Sequence, residues 1–160
     1  MDKKRPFSKL KKVIDGLFDD KLKMEFCCNA VPIRGQWGQH NSIPRFYLKL
    51  DKEIIWDFPK DFEIKEIPYG YWADNNNISD LVRDYIDTPL EKLLDHKFEL
   101  ENNSFTIQNS KSNLLENYDI DYKLTELFKT SDRRLGKEKL LKWAEQIKNP
   151  MIDRILKIRF

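Results

Sequence analysis

The sequence predicts an α+β domain: an N-terminal helix, a small antiparallel β-sheet that includes a hairpin, and a mainly helical C-terminal half packed on the sheet. Three patterns carry this prediction. Apolar residues recur at helical spacing between Phe7 and Phe18, residues 22–58 largely alternate with the two-residue period of strands, and helical spacing returns from Ile78 onward. A helix, then a sheet, then consecutive helices is the order of an α+β chain, not the alternating order of a doubly wound one. The 160 residues are read as one domain, 1–160, long enough to bury a core without metals or disulfide staples.

In the first element, "PFSKLKKVIDGLF" sets Phe7, Leu10, Ile14 and Leu17 on one stripe, widened by Val13 and Phe18. Pro6 suits a first helical turn, where its missing N–H costs nothing. Lys9, Lys11 and Lys12 fall mainly off the stripe, toward water. The next segment, "KLKMEFCCNAV", places Leu22, Met24, Phe26 and Cys28 on one strand face. "RFYLKLD" places Phe46, Leu48 and Leu50 on one face with Tyr47 opposite, and "EIIWDF" follows at once. Residues 45–58 therefore read as a hairpin turning at Asp51-Lys52 and ending before Pro59. Residues 32–44 and 59–77 are read as loops from their glycines and prolines.

The helical half opens at Asn77, a natural cap for the stripe Ile78, Leu81, Val82, Tyr85 and Ile86. "TPLEKLLDHKF" predicts a second start, with Thr88 as N-cap, Pro89 at the first position and Glu91 closing a capping box. Residues 98–118 fit either a short hairpin or an irregular connection. Tyr122–Leu135 and Lys137–Lys148 read as helices, and Asn149-Pro150 caps a last one carrying Met151, Ile152, Ile155, Leu156 and Ile158.

Composition narrows the function classes. The chain is 12% aromatic, which argues against disorder, because such side chains bury enough area to offset chain entropy. Net charge is only +2, which does not mark a general nucleic-acid or membrane binder. Lysines and Arg5 do crowd the N-terminus, however. Cys27 and Cys28 are adjacent and read as reduced thiols of a cytosolic protein. No N-terminal apolar run resembles a signal peptide and no stretch reaches membrane-spanning length, so a cytoplasmic protein without a membrane partner is expected.

Few residues offer chemistry. His40 and His96 lie far apart, and neither starts a metal-ligand motif, so no metal or other cofactor is expected. Cys27 or Cys28 with His40 could form a nucleophile pair, but thiols in an apolar strand pattern behave as small hydrophobes. Asp84, Asp87, Asp95, Asp119 and Asp121 could supply a hydrolase, yet no spacing forces two of them onto one face. No catalytic residue is assigned. Trp37, Tyr69, Tyr71 and Trp72, with His40, lie in segments rich in Gly, Pro and Asn. Aromatics held in loops suit partner contacts, with covering the sheet as the alternative use.

The stretch "SDRRLGKEKLLKW" resolves into a boundary. At about 100° per residue, Leu135 lies far from the face formed by Leu140, Trp143, Ala144 and Ile147, but joins Leu124, Leu127 and Phe128. Gly136 is then expected in the left-handed conformation that closes a helix, with Arg133 and Arg134 in its last turn. Arg133 points away from the stripe. Arg134 sits on a flank, suited to a carboxylate on a neighbouring element. A glycine corner is also compatible with a DNA-reading helix, though Glu138 near its start would repel phosphates.

"FSKLKK" (Phe7 to Lys12), "DRRLGKEKL" (Asp132 to Leu140) and the terminal "NPMIDRILKIRF" resemble a bacterial family of small conserved hypothetical proteins; "FYLKLDKEIIWDF" is similar in kind. The resemblance implies a bacterial, cytosolic protein and supplies no catalytic residues. Glu138 departs from that family's basic run after the glycine. The expectation is a non-enzymatic protein that binds a macromolecule, most of all a protein, in the manner of an immunity protein or antitoxin. Trp37, His40, Tyr69, Tyr71, Trp72 and Arg133 are its candidate contacts. The alternatives are a nucleic-acid binder using the N-terminal lysines and the Asp-Arg-Arg corner, and a hydrolase with a carboxylate site.

Overall fold

A computed structural model describes residues 7–34, 40–58, 71–98 and 120–160, with side chains described outside 30–44, 57–77 and 120–123. Helix α1 (Phe7–Leu17) leads through a 3₁₀ turn (Asp20–Leu22) into strands β1 (Met24–Arg34), β2 (His40–Leu50) and β3 (Glu53–Phe58). Helix α2 (Tyr71–Asp87) and a 3₁₀ turn (Leu90–Lys92) follow, then α3 (Ile120–Ser131), α4 (Lys137–Ala144) and α5 (Pro150–Arg159). The strands form an antiparallel meander in the order β1-β2-β3. This is the α+β architecture expected from the sequence.

The inward sheet face is the predicted one. Met24, Phe26, Phe46, Leu48 and Leu50 are buried, while Tyr47 lies half-buried on the other side. Leu10 and Ile14 of α1 are buried against this face, and Phe7 sets its ring 5.7 Å from Phe26 and 5.5 Å from Phe46. Phe128 of α3 meets Phe26 edge-on at 5.5 Å, so the C-terminal helices do pack on the sheet. A bulge inserts Ile55 between Ile54, which pairs with Lys49, and Trp56, which pairs with Leu48, so Trp56 turns inward while Ile54 stays 43% exposed.

The hairpin closes without Asn-Gly because Asp51 accepts φ 56°, a conformation Asp tolerates better than most residues with a Cβ. Asp51 N also donates to Lys23 O at 3.1 Å.

Lys11 is a correction. It does not point to water but donates to Asp15, Glu25 and the Phe26 carbonyl at 2.8–2.9 Å. Asp15 in turn accepts from Phe26 N at 2.8 Å. One helical turn of α1 thus satisfies both outward backbone groups of Phe26 on an edge strand, a way to protect an edge from unwanted pairing. Burial opposes the Lys11 charge, but hydrogen bonds to Asp15 and Glu25 outweigh it and hold the pKa above its ordinary value.

Three loop and helix readings also change. β1 and β2 run well into the expected loop 32–44, pairing Pro32 with Ser42 and Arg34 with His40. Pro32 shares the outward parity of Phe26, so its missing N–H breaks no bond to β2. Pro44 lies beyond the last β3 pair, Phe46 with Phe58, so it loses no bond there either. Helix α2 starts at Tyr71 rather than at Asn77, because weak helix formers such as asparagine cost only a few tenths of a kcal/mol each. Thr88 is not an N-cap: its hydroxyl donates to Asp84 O at 2.6 Å, finishing α2. The expected helix after it stops after one 3₁₀ turn. There the carbonyls of Leu94 and His96 accept from Lys129 Nζ instead of from helical amides. The reading of residues 98–118 lies almost wholly outside the described residues.

Candidate functional site

The site grows out of the corner after α3. Leu124, Leu127 and Phe128 point into the core, and the helix ends at Ser131. A short antiparallel bridge to the end of α1 stops it: Asp19 N donates to Ser131 O and Arg133 N to Leu17 O, both at 2.8 Å. Gly136 therefore does not close α3. It has φ −78° and ψ 162°, extended backbone open to any residue, and stands as the N-cap of α4. Leu135 lies in the turn, not on the α3 face, although it is buried as expected. α4 itself ends at Ala144, short of Lys148.

Asp132 organises the corner. It is 0% exposed. Its Oδ1 accepts from Arg134 N and Nε at 3.0 Å, and its Oδ2 from Arg134 Nη2 at 2.7 Å and Tyr85 OH at 2.9 Å. Four donors on one carboxylate are what a buried charge requires. Arg134 thus pairs within its own turn, not with a neighbouring element as expected. Burial, followed by the Asp132 charge, pushes the Tyr85 hydroxyl well above its ordinary pKa. The hydrogen bonds that Arg134 donates to Asp132 raise its own pKa.

Arg159 braces the corner from α5. Only 4% exposed, it donates to Asp19 Oδ2 at 3.0 Å, Thr130 O at 2.7 Å and Leu135 O at 3.2 Å. The sequence reading missed it, but a signal existed. Ile152, Ile155, Leu156 and Arg159 follow i, i+3, i+4, i+7, so the arginine falls on the apolar stripe of its helix. A charge there implies a buried partner.

Beside Arg134 opens a groove of about 770 Å³, within the size range of ligand sites. Leu90, Glu91, Leu94 and Asp95 line it from one segment, and residues 134–139 from the other. The first segment carries two carboxylates. The second carries Arg134, Lys137 and Lys139 against Glu138 alone. Leu90, 40% exposed, and Leu94 add apolar surface. Lys129 holds the acidic segment in place through Leu94 O at 3.4 Å and His96 O at 3.1 Å, with the Phe98 and Trp143 rings 5.3 and 5.7 Å from its ammonium. Burial lowers its pKa.

Of the expected contact residues, Arg133 is exposed on the corner, although it is not among the residues that line the groove. Trp37 and Tyr69 lie outside the described residues. His40 lies in β2 and Tyr71 and Trp72 in α2, the last two on a helix and not in the expected loop; the side chains of all three lie outside the described ones. Among the described residues, no three His, Cys, Asp or Glu side chains gather as metal ligands, and no helix is long and apolar enough to cross a membrane. Burial raises both thiols, that of Cys28 to about 11, so neither is a thiolate at neutral pH.

Fold and corner together define a small α+β domain: a three-stranded meander covered by helices, with a buried carboxylate at its helical corner. The chain belongs to the SF0329 protein family, whose model matches residues 6–160. No curated protein and no solved structure matches it.

Proposed function

We propose that this chain is a non-enzymatic bacterial protein of the cytoplasm that binds a protein partner, with the masking of a toxin or effector as one concrete form. The observation that carries the reading is the groove beside Arg134, where an acidic segment and a basic segment flank apolar surface. A polypeptide can answer both signs of charge and the apolar surface at once. A nucleic-acid backbone cannot, because Glu91, Asp95 and Glu138 repel phosphates. The capture of Lys11 by Asp15 and Glu25 also removes one cation from the N-terminal basic cluster. Arg133 and the aromatics Trp37, Tyr69, Tyr71 and Trp72, with His40, are proposed as further contacts.

The test is capture from the native host by wild-type protein and by Leu90→Asp. The expected result is a stoichiometric protein that survives nuclease treatment and is lost with Leu90→Asp. A captured species that nuclease releases, or none at all, overturns the reading.

A further inference from the structure

We propose that the groove takes an extended segment of its partner, one that presents an acidic and a basic side chain on opposite sides of the chain. The inference rests on the reading of this protein as a protein binder and names the form of what is bound. Two chain segments of opposite net charge line the groove, Glu91 and Asp95 from one and Arg134, Lys137 and Lys139 (with Glu138) from the other. Successive side chains of an extended segment point to opposite sides, so neighbouring Glu and Lys address the two walls together. In a helix neighbouring residues lie only about 100° apart, so an adjacent Glu and Lys would not face opposite walls.

Gly136 supports entry of a chain here. Its backbone is extended, so no conformation demands glycine, and no heavy atom lies within 4 Å of where a Cβ would stand. Packing does not demand glycine either. The residue lines the groove, and its missing side chain leaves the α4 end of the groove open.

The test uses two capped hexapeptides of identical composition, acetyl-Gly-Leu-Glu-Lys-Leu-Gly-amide and acetyl-Gly-Leu-Glu-Leu-Lys-Gly-amide, titrated into the full chain and followed through its amide resonances. The first places its charges on opposite sides and the second on one side. The first is expected to bind about three-fold more tightly or better, a ratio within reach of two exposed charge pairs. Glu91→Lys with Asp95→Lys makes both walls basic and should remove that preference, and adding Lys137→Glu with Lys139→Glu reverses the sign of both walls and should restore it. Gly136→Leu should abolish binding of both peptides while leaving the melting temperature within a few degrees. Equal binding of the two peptides, binding of neither, or preference for a single-stranded DNA oligomer overturns the proposal. If the peptides fail while Leu90→Asp still loses the captured partner, the protein-binding reading stands without the extended segment. If both fail, both fall.

Discussion

Arg159 and Asp19 meet at 3.0 Å across 140 positions of sequence, and the same guanidinium takes the carbonyls of Thr130 and Leu135. The last described helix thereby ties the α1 exit to the α3 corner. Arg159→Leu leaves two inward carbonyls without their donor, so a loss of about 3 kcal/mol is expected in chemical denaturation. Asp19→Asn keeps those carbonyls satisfied but leaves a guanidinium only 3% exposed without its carboxylate, so it should cost about as much. Lysine cannot span three acceptors from one planar head, so Arg159→Lys should resemble the leucine variant. A cost under about 1 kcal/mol for either Arg159→Leu or Asp19→Asn would show that the pair behaves as an exposed one.

Tyr85 and Asp132 give a pH signature. The Tyr85 pKa is raised in the folded state, first by burial and then by Asp132, with Arg134 facing the pair and partly offsetting it. The folded protein therefore holds this proton more tightly than the unfolded chain. Its contribution is full below the ordinary tyrosine value of about 10 and is lost as pH rises above it. Tyr85→Phe should cost about 2 kcal/mol at pH 8, as expected for a hydrogen bond to a charged group. That deficit should narrow above about pH 10, and a constant deficit from pH 8 to pH 11 would refute the assignment.

Much of the fold was legible because it follows local rules. The α1 stripe, the 45–58 hairpin and the Asn149 cap, whose side chain accepts from Met151 N at 2.9 Å, each depend on residues a few positions apart. The corner was not legible in the same way. A bridge between Phe18 and Asp132 ends α3, and nothing within a few residues of Gly136 encodes that pairing. Lys11 was misread for the same reason: its position off the apolar stripe is local information, while Glu25 and Phe26 are distant in sequence. At the candidate site, Arg133 was read correctly as exposed. The acidic wall of the groove escaped notice because Thr88-Pro89 mimics a helix start.

Lys129 sets the position of that acidic wall. Lys129→Met keeps the buried stem but removes the donor for the Leu94 and His96 carbonyls. A loss of about 1–2 kcal/mol is expected. The amides of Asp95 and His96, now bonded to Lys92 O at 3.2 and 2.9 Å, should exchange with solvent faster than in the wild type. Unchanged exchange there would show that the wall stands without the lysine.

α4 lacks a side-chain cap at Gly136, whose backbone already has the extended conformation of an N-cap. Gly136→Ser supplies the missing acceptor and should stabilise the protein by a few tenths of a kcal/mol, about the measured difference between these residues at such a position. A lower melting temperature for the serine variant would mean that its hydroxyl is not free to cap.

The proposed partner protein occupies the groove between residues 90–95 and 134–139. The most direct measurement is the affinity of the purified partner for wild-type protein and for Gly136→Leu, with the melting temperature of both recorded. The account predicts binding at least ten-fold weaker for the variant at a melting temperature within a few degrees of wild type. Equal affinity for the two proteins would contradict it.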